Sequence, residues 1–150
     1  MKFLIFLSLI LFVISKIQYN PIKAIEYARK YCRNYNRYYN NYRDRGCDCS
    51  NFVSQCLIAG GLDISSCIGL DDKGAIPSTI KLKSCLLKIG WKSKKGMPKS
   101  FKPGYPFFLN DMHARIATKV NGKIVTYCDH KCTDTCDGTI TDDNLIYFYL

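Results

Sequence analysis

Two kinds of residue that act together in nucleophilic chemistry lie far apart in this 150-residue chain. Cys49 falls at the expected first turn of a helix, where the helix dipole and free backbone N–H groups favour a thiolate. A thiolate attacks a carbonyl carbon once a neighbouring base has taken its proton. The two histidines of the chain, His113 and His130, both follow on expected strands and are the candidate bases. An early helix-start cysteine followed by strand histidines indicates a cysteine hydrolase.

The cysteine count leaves other interpretations of Cys49 open. Nine cysteines cannot all pair within one chain, and four disulfides with one free thiol are the simplest account. Cys47 is the rival for the free thiol, although it precedes the expected helix. A zinc site is a further alternative, and its ligands would be the closely spaced Cys128, His130, Cys132 and Cys136. We predict that Cys49 is the free nucleophile and that its chemistry requires neither a metal nor a cofactor.

The first residues indicate export from the cell. Met1-Lys2 is a short basic start, and residues 3–14 are apolar apart from Ser8. This run is shorter than the roughly 20 residues of a membrane span and is typical of a signal peptide. We therefore predict a signal peptide at residues 1–15 and a single domain at residues 16–150, secreted or delivered to a vacuole or lysosome. An oxidising compartment agrees with the high cysteine content.

Helical signals occupy the first part of the mature chain. Asn20 and Pro21 mark the start of a helix that runs to Cys32. A second helix is expected over residues 49–59, with Asp48 as its cap and Gly60-Gly61 as its end. A third is expected over residues 79–89.

Strand signals follow the helices. Runs rich in β-branched and aromatic residues predict strands at 105–109, 113–120, 123–127 and 145–150. Helices first and an antiparallel sheet afterwards define an α+β domain. The lysine-rich stretch at residues 92–102 contains Gly96 and Pro98, so a solvated loop is expected there.

The turn between the two middle strands predicts which residues face each other. A two-residue turn at Asn121-Gly122 would place His113 directly opposite His130. His130 would then orient the imidazole of His113 in the manner of a catalytic triad. A bulge near Cys128 would shift the register by one residue, and Asp129 or Asp134 would then be the orienting residue.

Several segments between residues 19 and 130 carry a resemblance to a known family. They are Tyr19-Asn20, Ala24, Tyr27-Ala28, Tyr31, the run from Asp48 to Leu57, Ala59-Gly60-Gly61, Lys102-Pro103-Gly104, Phe107-Phe108, His113, Ile116, Tyr127 and His130. This pattern resembles the putative amidase domain family, identified as a branch of the NlpC-type cysteine peptidases. The resemblance implies a papain-like fold with Cys49 as nucleophile, His113 as general base and His130 as the third, orienting residue. It also implies hydrolysis of peptide or amide bonds in bacterial cell-wall peptides.

The net charge of the chain indicates which classes of partner the protein binds. The chain carries 22 Lys and Arg against 12 Asp and Glu, a net charge of +10, which favours anionic surfaces such as a bacterial wall. No nucleic-acid motif is present, and no stable membrane insertion is expected of the mature chain. We expect a monomer that takes a peptide or amide substrate, with peptidoglycan on an anionic bacterial surface as the candidate. The alternative is a non-enzymatic, basic, disulfide-rich binding or toxin-like protein on the same fold.

Overall fold

Three α-helices form the first layer of the described protein. The computed structural model describes residues 18–131 and 134–150, so the predicted signal peptide at 1–15 lies outside the described residues. The helices are α1 (Pro21–Tyr31), α2 (Cys49–Ala59) and α3 (Thr79–Lys88), and a short 3-10 turn spans Arg43–Arg45. Among these described segments, none is a helix of the length and apolar character that crossing a bilayer requires.

Local signals explain where the helices begin. The side chain of Asn20 accepts hydrogen bonds from the backbone N–H groups of Ile22 and Lys23, and Pro21 occupies the first turn of α1. Ser78 caps α3 in the same way, through the N–H of Lys81. The predicted bounds of α2 are confirmed, and those of α1 and α3 differ from the prediction by one residue at the end.

One antiparallel sheet of six strands forms the second layer, in the order β1-β6-β2-β3-β4-β5. The strands are β1 (Lys92–Lys95), β2 (Pro106–Leu109), β3 (His113–Asn121), β4 (Ile124–Asp129), β5 (Thr135–Ile140) and β6 (Ile146–Tyr149). Helix α2 packs between α1 and strand β3, and its residues from Cys49 to Leu57 are all buried. The predicted α+β class is therefore confirmed.

The sequence pattern does not predict strands β1 and β5. The expected solvated loop at residues 92–102 begins with strand β1, whose four residues are exposed and pair with β6. Lysines on an edge strand keep it from pairing with other chains, and their charge masked the strand signal. Strand β5 carries Gly138 and lacks a run of apolar residues, so its sequence has no strong strand pattern.

The predicted register between β3 and β4 is wrong. Asn121 pairs with Ile124, so the two turn residues are Gly122 and Lys123 rather than Asn121 and Gly122. This turn moves each partner two residues from the prediction, and a β-bulge between Ala117 and Lys119 moves the ladder back by one, so Ile116 faces Cys128 instead of Tyr127. The ladder therefore does not bring His113 opposite His130.

The disulfides are fewer than expected. Two bridges join Cys32 to Cys136 and Cys67 to Cys85. Four other cysteines of the described residues are free thiols: Cys47, Cys49, Cys56 and Cys128. The expectation of four bridges with a single free thiol is therefore wrong for this part of the chain, and Cys132 lies outside the described residues.

We expect the Cys32–Cys136 bridge to contribute more stability than the Cys67–Cys85 bridge. Their sequence separations are 104 and 18 residues, and chain entropy assigns about 4.7 kcal/mol to a loop of about 100 residues against about 3 kcal/mol for a loop of about 15. Paired alanine variants at each bridge, compared by the free energy of unfolding in urea, measure the difference. An equal or larger loss for the Cys67 and Cys85 pair would contradict it.

Candidate active site

The start of α2 places Cys49 against the sheet. The first hydrogen bond of the helix runs from the N–H of Phe52 to the carbonyl of Asp48, so the N–H groups of Cys49, Ser50 and Asn51 have no acceptor within the helix. The Cys49 side chain is buried, and its Sγ accepts the N–H of Ala114, the second residue of β3, at 3.5 Å. Helix start and strand thus fix the thiol from both sides.

Three ligand-type side chains meet at this point. The Sγ atoms of Cys47 and Cys49 and a ring nitrogen of His113 all lie within 4.8 Å of one another. The Nδ1 of His113 lies 3.6 Å from the Sγ of Cys47. The sequence predicts Cys49 as nucleophile and His113 as base, and the fold brings these two residues together at the contact of α2 with β3. It adds Cys47, which the sequence offered only as a rival for the free thiol.

The far side of the His113 ring faces Asp129, the last residue of β4. The Nε2 of His113 lies 3.9 Å from Oδ2 of Asp129, whose carboxylate also accepts the Nε of Arg115 at 3.1 Å. Both Nε2 of His113 and Oδ1 of Asp129 are buried without a hydrogen-bond partner among the described residues. A small movement of the ring would join His113 to Asp129, one of the two residues expected to orient it in a shifted register, whereas the other, Asp134, contacts Tyr35.

His130 is engaged elsewhere. Its Nδ1 lies 2.8 Å from Oδ2 of Asp48, and its Nε2 lies 2.8 Å from the carbonyl oxygen of Tyr31. The ring stacks on Phe52 with the centroids 3.9 Å apart. Both ring nitrogens therefore have partners other than His113. The position of the turn is the physical reason, because a turn at Gly122 and Lys123 moves the β3–β4 pairing two residues from the predicted register and the bulge in β3 moves it back by only one.

Asp48 does not act as the predicted helix cap. Its side chain makes no capping bond to α2. Instead Oδ1 accepts the backbone N–H of Tyr42 and the Nδ2 of Asn51, while Oδ2 faces the His130 ring. Asp48 stands between Cys47 and Cys49 in the chain, so this buried network holds the segment that carries both thiols.

We expect His130→Ala to lower the free energy of unfolding by about 3–5 kcal/mol. The substitution leaves Oδ2 of the buried Asp48 carboxylate without its ring partner, and breaking one side of a buried carboxylate–imidazole pair has a cost of this size. Urea denaturation followed by circular dichroism measures the loss. The double variant His130→Ala with Asp48→Asn serves as the control and should recover part of the stability, and an unchanged midpoint for His130→Ala would contradict the role of this contact.

The alternative zinc site at residues 128–136 is not supported by the fold. Cys136 is bonded to Cys32, and both nitrogens of His130 have other partners. Cys128 is fully buried beside Cys56, within the core. Cys132 lies outside the described residues.

Burial determines the protonation of the site. Desolvation raises the pKa of Cys49 to about 12, although the N–H groups of Ala114 and Ser50 act in the opposite direction. Desolvation also lowers the pKa of His113, and Lys131 and Arg115 add to this, while Asp129 opposes it. The helix-start effect that predicts a thiolate is therefore outweighed by burial. At neutral pH the resting site holds a neutral thiol beside a neutral imidazole.

Comparison with known proteins assigns a family to the part of the chain that carries the cysteine segment. A family model described as Putative amidase domain matches residues 18–101, more than half of the chain. The match contains the segment that carries Cys47 and Cys49 and ends before the strand that supplies His113. A search of curated proteins finds none that matches the chain. The length of the family match and its coverage of the cysteine segment show that this chain belongs to the Putative amidase domain family.

Proposed function

We propose that the protein hydrolyses amide bonds through a thioester, with Cys49 as nucleophile, His113 as general base and Asp129 as orienting residue. The observation that carries this proposal is the meeting of Cys49 and His113 at a helix start in a member of an amidase family. An imidazole within reach of a thiol, with a carboxylate behind the imidazole, supplies the parts of a triad. His130 acts on this site indirectly, by holding Asp48.

The surroundings of the two thiols favour Cys49 over Cys47 as nucleophile. Two backbone N–H groups, of Ala114 and Ser50, point to the Cys49 sulfur and stabilise negative charge on it. The Sγ of Cys47 lies 3.8 Å from the carbonyl oxygen of His130, which would repel a thiolate. Of the two sulfurs, Cys49 is therefore the better placed to carry the negative charge of the nucleophile.

The neutral resting state defines the order of proton transfers. Nδ1 of His113 takes the thiol proton of Cys49 as the sulfur attacks the amide carbon, and the Cys49 N–H at the helix start donates to the oxyanion. The imidazolium returns this proton to the leaving amine as the carbon–nitrogen bond breaks. Water then gives a proton to His113, attacks the thioester and releases the acid and the Cys49 thiol. Asp129 stabilises the imidazolium in both steps.

The finer identity of the enzyme is also part of the proposal. A helix-start cysteine packed on an antiparallel sheet, with its histidine on a strand, supports a papain-like fold of NlpC type. Two disulfides support an extracellular or vacuolar location. A net charge of +10 supports a substrate on an anionic surface, and we propose peptides of bacterial peptidoglycan.

A polar cavity lies next to Tyr42, which is bonded to Asp48, and supports a polar substrate although neither the two thiols nor His113 line it. It has a volume of about 320 Å³ and is lined by Asn40, Asn41, Tyr42, Arg45 and Asp72. The backbone N–H of Tyr42 is bonded to Asp48, so this cavity adjoins the segment that carries the thiols. Its mixture of amide, acidic and basic groups suits a peptide that carries both charges and several hydrogen-bonding groups.

Incubation of the mature protein with purified peptidoglycan, followed by mass spectrometry of the released fragments, tests the proposal. We expect new amines and carboxylic acids from the wild type and none from Cys49→Ala. A panel of peptidoglycan-derived peptides and simple amides separates cell-wall specificity from general amidase activity. Identical products from wild type and variant would exclude thiol catalysis at Cys49 and favour the non-enzymatic, basic binding protein.

A further inference from the structure

We propose that Cys47, Cys49 and His113 together bind one Zn²⁺ ion, with a fourth position open to water or substrate. Among the described residues, these three side chains form a cluster whose potential metal-ligand atoms all lie within 4.8 Å of one another. Two thiolates and one imidazole are a ligand set that zinc accepts with three protein ligands and an open position.

The distances suit a tetrahedral ion. Zinc binds sulfur at about 2.3 Å and imidazole nitrogen at about 2.0–2.1 Å, so a tetrahedral angle separates these two ligand atoms by about 3.6 Å. The Sγ of Cys47 and Nδ1 of His113 are 3.6 Å apart. The Cys47–Cys49 and Cys49–His113 separations of at most 4.8 Å exceed the tetrahedral spacings of about 3.8 Å and about 3.6 Å by no more than about 1.2 Å, which small movements of the Cys47 and His113 side chains can close.

The group behind the imidazole is also the one that a zinc ligand requires. A zinc-bound histidine donates its other N–H to a carboxylate or carbonyl, which fixes the tautomer. The Nε2 of His113 lies 3.9 Å from Oδ2 of Asp129 and has no hydrogen-bond partner among the described residues. Coordination through Nδ1 would place the proton on Nε2, where it faces Asp129.

Charge and burial favour the bound state. Cys49 is buried and Cys47 is partly buried, and two adjacent thiolates at this place would repel each other without a cation between them. A divalent cation neutralises both thiolates, and the cost of ionising them is met by two metal–sulfur bonds. Cys56 and Cys128 are also adjacent buried thiols, but the structure places no described histidine in a ligand group with them.

Bound zinc would prevent the thiol chemistry. It holds the sulfur of Cys49 and the Nδ1 of His113, the two atoms that must exchange a proton in the first step. This regulatory consequence rests on the proposed function, whereas the binding itself does not. Zinc thus converts the site into a resting, oxidation-resistant form that a chelator reactivates.

Direct binding tests the site without reference to activity. Mature protein with both disulfides intact is titrated anaerobically with Zn²⁺ in a calorimeter and with Co²⁺ in an absorption spectrometer. We expect one ion per chain, thiolate-to-cobalt charge transfer with tetrahedral d–d bands, and protection of Cys47 and Cys49 from alkylation. Cys47→Ser, Cys49→Ser and His113→Asn should each weaken the binding at least tenfold, while Cys56→Ala, a buried thiol outside the cluster, should bind as the wild type does.

The outcomes separate this proposal from the enzymatic one. Zinc binding that survives all three ligand substitutions would overturn the site, as would no binding by protein whose Cys47 and Cys49 thiols are shown to be free by alkylation. A Cys47–Cys49 bridge in the native protein would overturn it as well. Zinc binding by the expected ligands without amide hydrolysis supports the zinc site and contradicts the proposed enzyme. Amide hydrolysis that Zn²⁺ does not inhibit supports the enzyme and contradicts the zinc site.

Discussion

Cys49→Ala is expected to lower kcat/KM for amide hydrolysis by about four orders of magnitude or more, whereas Cys47→Ala should cost less than about tenfold. Loss of a covalent nucleophile removes the whole thioester pathway, and losses of this size are typical of catalytic nucleophiles. The two residues share one imidazole and are separated in the chain only by Asp48. The pair is therefore a matched test of which sulfur reacts.

Steady-state kinetics on a chromogenic amide, with a chelator present, measure both variants. Circular dichroism and the urea midpoint serve as the control for folding, since both cysteines lie against the core. Trapping of the acyl-enzyme and peptide mapping then locate the thioester. An inactive Cys47→Ala with an active Cys49→Ala, or an acyl group on Cys47, would assign the nucleophile to Cys47.

Asp129→Asn is expected to lower kcat by about two to four orders of magnitude while the fold is retained. The amide preserves the shape of the carboxylate but removes the charge that stabilises the imidazolium of His113, and a comparable change in a serine triad costs about four orders of magnitude. Because Asp129 raises the pKa of His113 against burial, Lys131 and Arg115, its removal should lower that pKa further. The acid limb of kcat/KM, which reports protonation of His113, should move to lower pH.

The pH profile distinguishes orientation from mere stability, because loss of packing would not move the acid limb. Arg115→Gln is the control, since it removes the other partner of Asp129 and should raise the pKa of His113 rather than lower it. The measurement is kcat/KM from pH 4 to 8 with a chelator present. A full-rate Asp129→Asn together with a strongly impaired His130→Ala of unchanged stability would return the orienting role to His130.

Features set by neighbouring residues were predictable. The bounds of α2 follow from the spacing of its apolar residues and the Gly60-Gly61 stop, and both signals act within a few residues. The same holds for the Asn20 cap of α1 and for the strands with continuous apolar runs, whereas the Ser78 cap of α3 was not predicted and the predicted Asp48 cap of α2 is wrong. Strand β1 was missed because its lysines carry an edge-strand signal that cannot be told from a solvated loop without its partner β6.

In the candidate site too, some features follow from the local sequence and others only from the tertiary structure. The sequence by itself determined the helix start with its cysteine, the two strands that follow, and the family, since each depends on a local pattern. Only the tertiary structure decided which groups meet there, because the turn at Gly122 and Lys123 and the bulge between Ala117 and Lys119 together set every facing pair of β3 and β4. The tertiary structure places the carboxylate of Asp129 beside His113 and pairs His130 with Asp48. It also brings Cys47 to the imidazole of His113. Burial decided the protonation, since the cost of a charge depends on everything packed around the atom and not on its neighbours in the chain.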